Sequence, residues 1–387
     1  MAFDGLRLPP ALLPPEAEAL RGEVRAFIAE TRDALGWTAQ SNFATSFSAA
    51  FSRRLGAKGW IGMTWPKAYG GAERSYLERY VVIEELLAAG APVGAHWVAD
   101  RQSGPLLLRF ATEAQKQDIL PRITRGECYF SIGMSEPDSG SDLASVRTRA
   151  EKVEGGWSLT GTKVWTSNAH YNHYMIALCR TAPASEDRHA GLSQFLVDLK
   201  SDGLSIRPIR NLSGAHDFNE VVLDGVFVPE EGLIGREGEG WAQVTSELAY
   251  ERSGPERFLS TFRLFAELVR AVGPAPDRRA AEAIGRLTVH LWTLRTMSLS
   301  VASLLQFGRS PDVAAAVVKE VGNRFEREVA EAARLICPVE PDLGDSGGLS
   351  GFADTLADAV LQLPSFTLRG GTTEIMRSII ARELGLR

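Results

Sequence analysis

The chain has 387 residues, enough to bury large cores and to form two or three domains. With 44% hydrophobic and 23% charged residues it reads as an ordinary soluble globular protein, not a disordered or fibrous one. A net charge of −6 with no basic run removes electrostatic support for nucleic-acid binding, and no apolar run reaches membrane-spanning length. Cys128, Cys179 and Cys337 stand far apart without metal-ligand spacing, so no metal site is expected and the cysteines read as small buried hydrophobes in a reduced, cytoplasmic protein. No basic n-region precedes a long apolar run at the N-terminus, so no signal peptide is expected.

Pro9, Pro10, Pro14 and Pro15 mark an extended lead-in. Leu20, Val24, Phe27, Ile28 and Leu35 then fall on one helical face. Gly59 to Pro66, ending at Tyr69-Gly70-Gly71, is loop chemistry with two tryptophans. The spacing predicts a helix over 73–90 and further helix over 104–126, with a break at Pro121. From Cys128 to about 235, short alternating runs separated by Gly, Pro and Asp predict antiparallel strands, with a hairpin turn at Glu154-Gly155-Gly156. Gly235 to Gly240 reads as a hinge back into helices. The runs at 241–271, 278–307 and 311–336 are long enough to pack as a bundle. Arg369 to Glu374 forms a turn, and a last helix follows to Leu384.

Two segments of the strand region carry chemistry. Met134-Ser135-Glu136-Pro137-Asp138-Ser139-Gly140-Ser141-Asp142 cannot sustain a helix or a central strand, and its hydroxyls and free N–H groups suit a ligand rich in acceptors. Lys163-Val164-Trp165-Thr166-Ser167-Asn168 offers a large aromatic to cover a flat ring and hydroxyls to bond its edge. Taken singly, the first reads as a plain surface turn and the second as a core tryptophan. Together, at this spacing, they resemble the flavin-binding middle domain of the acyl-CoA dehydrogenase family, and the resemblance extends over nearly the whole chain.

That resemblance implies an α+β fold of three domains: an N-terminal helical domain (1–127), a middle antiparallel β domain (128–236) and a C-terminal helical bundle (237–387). It implies FAD as cofactor, contacted by Met134, Ser135, Gly140, Ser141, Trp165, Thr166, Ser167, Thr372 and Glu374. An acyl-CoA would meet Ser141, Arg252, Gly370 and Gly371. The implied reaction is α,β-dehydrogenation of the thioester to a trans-2-enoyl-CoA in fatty acid or lipid catabolism, with electrons passed to electron-transfer flavoprotein or a similar carrier. A carboxylate must take the α-proton, flavin N5 must accept hydride, and donors must meet the thioester oxygen.

Many members place the base in a Tyr-Glu-Gly-Thr turn, but here that turn reads Arg369-Gly370-Gly371-Thr372 and has no carboxylate. Other members, including the isovaleryl and long-chain types, place it before an Arg on the first C-terminal helix. The match in spacing from Gly240-Trp241 puts Glu251 there, followed by Arg252. Glycine at 370 leaves room for a carboxylate reaching from the helix. As a surface acid Glu251 would need an i+4 partner, and that position is Pro255. Glu256, before Arg257, is the rival base, and Glu374 a weaker one.

The family's Arg-x-x-Phe-Gly segment, which reaches a neighbouring subunit's FAD pyrophosphate, is missing. The region reads Val272 to Ala280 without it, and the later Gln-x-x-Gly-Gly-x-Gly is altered to Leu343 to Gly351, where only Gly347-Gly348 is a possible remnant. Two assemblies stay open: a heteromer with a related subunit, and a homo-oligomer in which Arg278 or Arg279 replaces the lost Arg. Two further readings stand beside the dehydrogenase: a flavin oxidase or monooxygenase on the same fold, and a partner subunit of a heteromeric acyl-CoA dehydrogenase with little activity alone.

Overall fold

Local capping signals set most helix starts. The computed structural model describes residues 7–183, 185–251, 253–309, 311–344 and 351–386, and for 247–251 the backbone only. Helix α1 (Pro15–Leu35) opens on a proline, which gives up an N–H that has no intrahelical acceptor there, and ends at Gly36 with φ 63°. Ser48 caps α2 (Ala49–Ala57). A reciprocal capping box between Ser75 and Glu78 starts α3 (Tyr76–Ala88). Helix α4 (Gly94–Val98) runs through one π-helical turn, Ala99–Ser103, into α5 (Gly104–Phe110). A second capping box, Thr112 with Gln115, starts α6 (Glu113–Thr124). The expected break at Pro121 is therefore displaced. The chain turns at Ala111–Thr112, where the box satisfies the new helix's free amides, and Pro121 is held inside α6 close to its end.

The strands are β1 (Phe130–Gly133), β2 (Arg149–Val153), β3 (Gly156–Lys163), β4 (Tyr174–Arg180), β5 (Leu192–Asp198), β6 (Leu204–Ile209), β7 (Phe218–Pro229) and β8 (Leu233–Ile234). They form one sheet of order β6-β7-β3-β2-β4-β5-β8, with β1 added against β4. The expectation of a purely antiparallel sheet is corrected here. β1 pairs with β4 in parallel, and β2 touches β4 in parallel at Arg149–Arg180, so the sheet is mixed. The long excursion between β1 and β4 is what permits parallel pairing, since a tight hairpin cannot.

The C-terminal helices are α7 (Gly240–Glu251), α8 (Phe262–Val272), α9 (Arg278–Gln306), α10 (Asp312–Ile336), α11 (Phe352–Phe366) and α12 (Thr373–Glu383). The single run expected over 241–271 is split, with a 3₁₀ turn at Pro255–Arg257. A proline there removes an amide the helix needs. Helix α11 was not expected; Pro364 within it masks the helical pattern.

By contacts the chain forms two compact units, 1–46 with 74–92 and 251–387, and 47–73 with 93–250. In the first, α1, α3 and α9 are laced by Arg21 and Arg25 to Glu85, and by Arg295 to Glu84 at 2.7 Å. Its core includes Leu287, Leu294, Val301, Phe325, Val329, Leu356 and Phe366. In the second, inward-facing Trp157, Leu159, Phe195, Val197, Val221 and Val226 fill the sheet's core. All three cysteines are free and buried, and burial pushes Cys128 and Cys179 up to about 12, so both are inert thiols.

Candidate active site

In the second unit, β1 hands over to the hydroxyl-rich loop and β3 to the tryptophan segment, and the fold brings the two together. Val164 N donates to Ser135 O at 2.9 Å, and Lys163 Nζ donates to Met134 O at 3.2 Å. Glu136 and Ser139 exchange both backbone bonds, at 2.7 and 3.1 Å, around the tight turn Pro137–Asp138. Beyond it Gly140 and Ser141 are exposed, while Ser135 is half-buried and Met134 packs against Val146, Leu178, Leu192 and Val244. Gly140 has an ordinary φ and open space around an added Cβ, so no steric demand requires glycine there.

Trp165 lies two residues past the end of β3, not in a strand core. Its indole is 59% exposed, meets Phe218 edge-on with centroids 5.9 Å apart, and its backbone sits at φ 60°. A bulky residue held in the left-handed region and left uncovered costs conformational strain and forgoes burial. Thr166 is buried, its N–H donates to Asn219 O at 3.0 Å, and its Oγ1 has no hydrogen-bond partner. Ser167 is half-buried and its carbonyl accepts from Ser131 Oγ at 2.8 Å.

Sequence reasoning missed the groups that hold these segments. Glu136 and Lys163 form a buried ion pair at 2.8 Å. Burial pushes the Glu136 carboxyl up, but the Lys163 ammonium and bonds from Thr148 and Arg147 outweigh it and hold the carboxyl below its ordinary range. Lys163 shares the parity of buried Trp157 and Leu159 along β3, which is the signal that finds it. Asn219 Nδ2 donates to Thr166 O at 2.9 Å and contacts His170 Nδ1 at 3.1 Å, while its Oδ1 meets His216 Nε2 at 2.7 Å. The two imidazoles stack with centroids 3.9 Å apart, and burial followed by His216 holds His170 below the usual histidine range.

In the first unit, the turn before α12 carries the Arg369-Gly370-Gly371-Thr372 segment. Gly370 and Gly371 have φ 66° and 95°, conformations in which a side chain is strained. Lys319 Nζ, fully buried on α10, donates to Gly371 O at 2.6 Å. Arg369 lies over Phe366 and Phe43, donates to Ser260 Oγ at 2.6 Å and pairs with Glu326 at 3.2 Å. Thr372 caps α12 through Ile375 N, and Glu374 is exposed, its carboxyl lowered by bonds from its own amide and from Thr372. The rival base Glu256 is 1% exposed and lies 3.9 Å from Arg257 inside this unit. Glu251 is the last residue of α7; its side chain and all of Arg252 fall outside the described residues, as do Gly347 and Gly348. Among the described residues no His, Cys, Asp and Glu group suits a metal ion, and no helix is long and apolar enough to cross a membrane.

An N-terminal helical domain, a mixed β-sheet domain and a C-terminal helical bundle are the three-domain architecture of the acyl-CoA dehydrogenase class of flavoprotein folds. The chain belongs to the acyl-CoA dehydrogenase family: the family's N-terminal, middle and C-terminal domains match residues 14–127, 131–226 and 238–385. It is 31% identical over 397 residues to acyl-CoA dehydrogenase IpdE1 of Mycolicibacterium smegmatis, covering 96% of this chain and 98% of that protein. It is 33% identical over 335 residues to acyl-CoA dehydrogenase FadE34 of Mycobacterium tuberculosis, covering 85% of this chain but only 45% of that longer relative. Among solved structures, the steroid ACAD Tcur3481-Tcur3483 overlays with a TM-score of 0.83 at 28% identity, over 96% of this chain and 97% of the other. The ChsE4-ChsE5 complex of Mycobacterium tuberculosis overlays with a TM-score of 0.81 at 28% identity, over 97% and 98%.

The cofactor is FAD. The residues present fit it: an exposed indole for a ring face, the unpartnered buried Thr166 hydroxyl, and the hydroxyls of Ser135, Ser141 and Ser167 on the two joined segments.

Proposed function

We propose that this chain is one subunit of a heteromeric FAD-dependent acyl-CoA dehydrogenase, with little activity by itself. The observation that carries the reading is at the start of α9. The Arg-x-x-Phe-Gly segment is absent there, and of the two replacements considered for it, Arg278 and Arg279, the first is paired with Glu282 on its own helix at 2.8 Å and is 92% exposed. A chain that lacks the contact to a neighbour's cofactor needs a related subunit to supply it. The overlay on a structure described as a complex of two proteins supports this. Likeness to a steroid ACAD makes a steroid-derived acyl-CoA the first substrate class to test.

In the assembly, Glu251 takes the proton from Cα of the acyl thioester, and loss of that proton together with hydride from Cβ gives trans-2-enoyl-CoA. Bound FAD supplies the acceptor, at N5, for the hydride from Cβ, and a carrier such as electron-transfer flavoprotein removes the electrons. The bare turn at Gly370-Gly371 leaves room for a carboxylate from α7 and offers backbone N–H groups to the thioester oxygen. Trp165 covers a flavin face, Ser135, Ser141, Thr166 and Ser167 hold its edge, and Arg252 supports the acyl-CoA. Glu256 is 1% exposed and lies 3.9 Å from Arg257, which ties its charge up and favours Glu251 as the base.

Two experiments test this. Purified alone, the chain should retain little flavin and bleach little with acyl-CoA, and both should recover on coexpression with a related subunit. Full yellow occupancy without a partner rejects the heteromer and restores the self-sufficient homo-oligomer. In the flavin-loaded preparation Glu251→Gln should abolish anaerobic bleaching by an acyl-CoA substrate; unchanged bleaching rejects Glu251 as base. Oxygen consumption without dye reduction would instead indicate an oxidase.

A further inference from the structure

The two flavin-facing segments are separated by twenty residues of chain, yet one buried ion pair ties both. Lys163 is fully buried, and its three ammonium donors go to Glu136 Oε1 at 2.8 Å, Leu178 O at 2.6 Å and Met134 O at 3.2 Å. Glu136 uses both oxygens: Oε1 also accepts from Thr148 N at 2.9 Å, and Oε2 accepts from Arg147 N at 2.6 Å. All three ammonium donors and both carboxylate oxygens are engaged within the protein, so each group acts through the backbone it grips. Glu136 grips the entry and the exit of the hydroxyl loop. Lys163 sits two residues before Trp165 and holds the loop's first carbonyl. The packing leaves no slack where the exit crosses β3, since a Cβ on Gly161 would lie 2.4 Å from Thr148 Oγ1 and 2.7 Å from Thr148 Cα.

A buried ion pair contributes little stability that a well-packed apolar pair would not, because desolvation offsets the attraction. What the charged pair adds is direction: the ammonium fixes three carbonyl and carboxylate oxygens at once, and the carboxylate fixes two amides. We propose that Glu136 and Lys163 are positioning residues that lock the hydroxyl loop and the Trp165 segment in one register, so that the two segments close on and release the flavin as a unit. The proposal rests on the flavin reading of this face and goes beyond it by assigning the coupling to a pair whose bonds go to the protein's own backbone and to each other.

Hydrogen exchange on the preparation that retains flavin, the chain alone or with its partner, compares FAD-loaded with FAD-stripped protein. Peptides covering 134–149 and 161–168 should slow together on adding FAD, by the same factor. Slowing confined to one of them overturns the proposal. No slowing anywhere, with no FAD retained in any preparation, overturns the flavin reading together with it. Lys163→Met alone strands a buried carboxylate and risks misfolding, so the neutral double variant Glu136→Gln/Lys163→Met is the second test. It should keep the far-ultraviolet circular dichroism of the wild type, bind FAD about tenfold or more weakly, and show a shifted visible flavin band. Wild-type FAD affinity with an unshifted band in that variant overturns the proposal, since a pair serving stability alone would lower the melting temperature and leave the bound flavin's spectrum untouched.

Discussion

Each unit holds one of the turns proposed to face a ligand with buried opposite charges, but the two carboxylates shift in opposite directions. In the β-sheet unit, Glu136 is held below the ordinary carboxylate range; burial opposes this, but an ammonium and two backbone amides converge on its two oxygens. In the helical unit, Glu326 is pushed up by burial in spite of Arg369, and burial likewise lowers Arg369. Glu326 accepts from Ser260 N at 3.1 Å and from a single nitrogen of Arg369, whose Nε and Nη1 are buried without hydrogen-bond partners. An opposite charge alone does not offset the burial of a carboxylate; converging short donors do.

The largest test of that contrast is removal of one partner. Lys163→Met should cost roughly 3–5 kcal/mol in urea unfolding, because Glu136 is left as an uncompensated buried charge. Glu326→Gln should cost less, since burial already raises that carboxyl and Ser260 N and Arg369 can still donate to the amide oxygen. Equal losses would break the comparison. The pH dependence should differ in sign. The folded Glu136 pKa lies below its ordinary 4.5, so its contribution is complete above that value and is lost as pH falls through the depressed pKa. The folded Glu326 pKa lies above 4.5, so stability is gained as pH falls from neutral through it. Thermal melts of Glu136→Gln and Glu326→Gln against pH should each flatten one of those two trends and leave the other.

A middle-sized effect separates the glycines of the two turns. Gly370 sits at φ 66°, and Gly370→Ala should lower stability by about 1–2 kcal/mol from left-handed strain alone. Gly140 has an ordinary φ and open space, so Gly140→Ala should leave the melting temperature unchanged. Calorimetry on the two variants checks this directly; a comparable loss for Gly140→Ala would mean that the hydroxyl loop, too, depends on its glycine.

Those assignments also show what could be read in advance. Alternation and punctuation located the strands, and the pairing of the Met134–Asp142 and Lys163–Asn168 segments was legible because both are short and chemically unusual. The parallel pairing of β1 with β4 was not, since single strands carry no mark of direction. Buried charges hid for a different reason. Lys319 and Glu326 are seven residues apart on the stripe with Val318, Phe325 and Val329, but a charge on an apolar face is easily taken for a flank until its partner is seen. Arg369 has no local signal at all, because its partners Ser260 and Glu326 come from distant parts of the chain. Trp165 was expected to face a ring; its left-handed backbone was not foreseeable, since nothing in Val164-Trp165-Thr166 favours positive φ.

The smallest expected effect bears on assembly. Arg278 and Glu282 are 92% and 66% exposed, four residues apart at the start of α9. Such pairs are screened by solvent and contribute next to nothing to stability. Arg278→Ala should therefore leave both the melting temperature and the flavin content unchanged. If Arg278 instead substitutes for the missing inter-subunit arginine, the melting temperature of the separate chain would again be unchanged, but flavin content would fall, because an anionic pyrophosphate would lose a bidentate cation. Flavin content, not stability, thus decides whether this chain completes a neighbour's site or depends on a different subunit to complete its own.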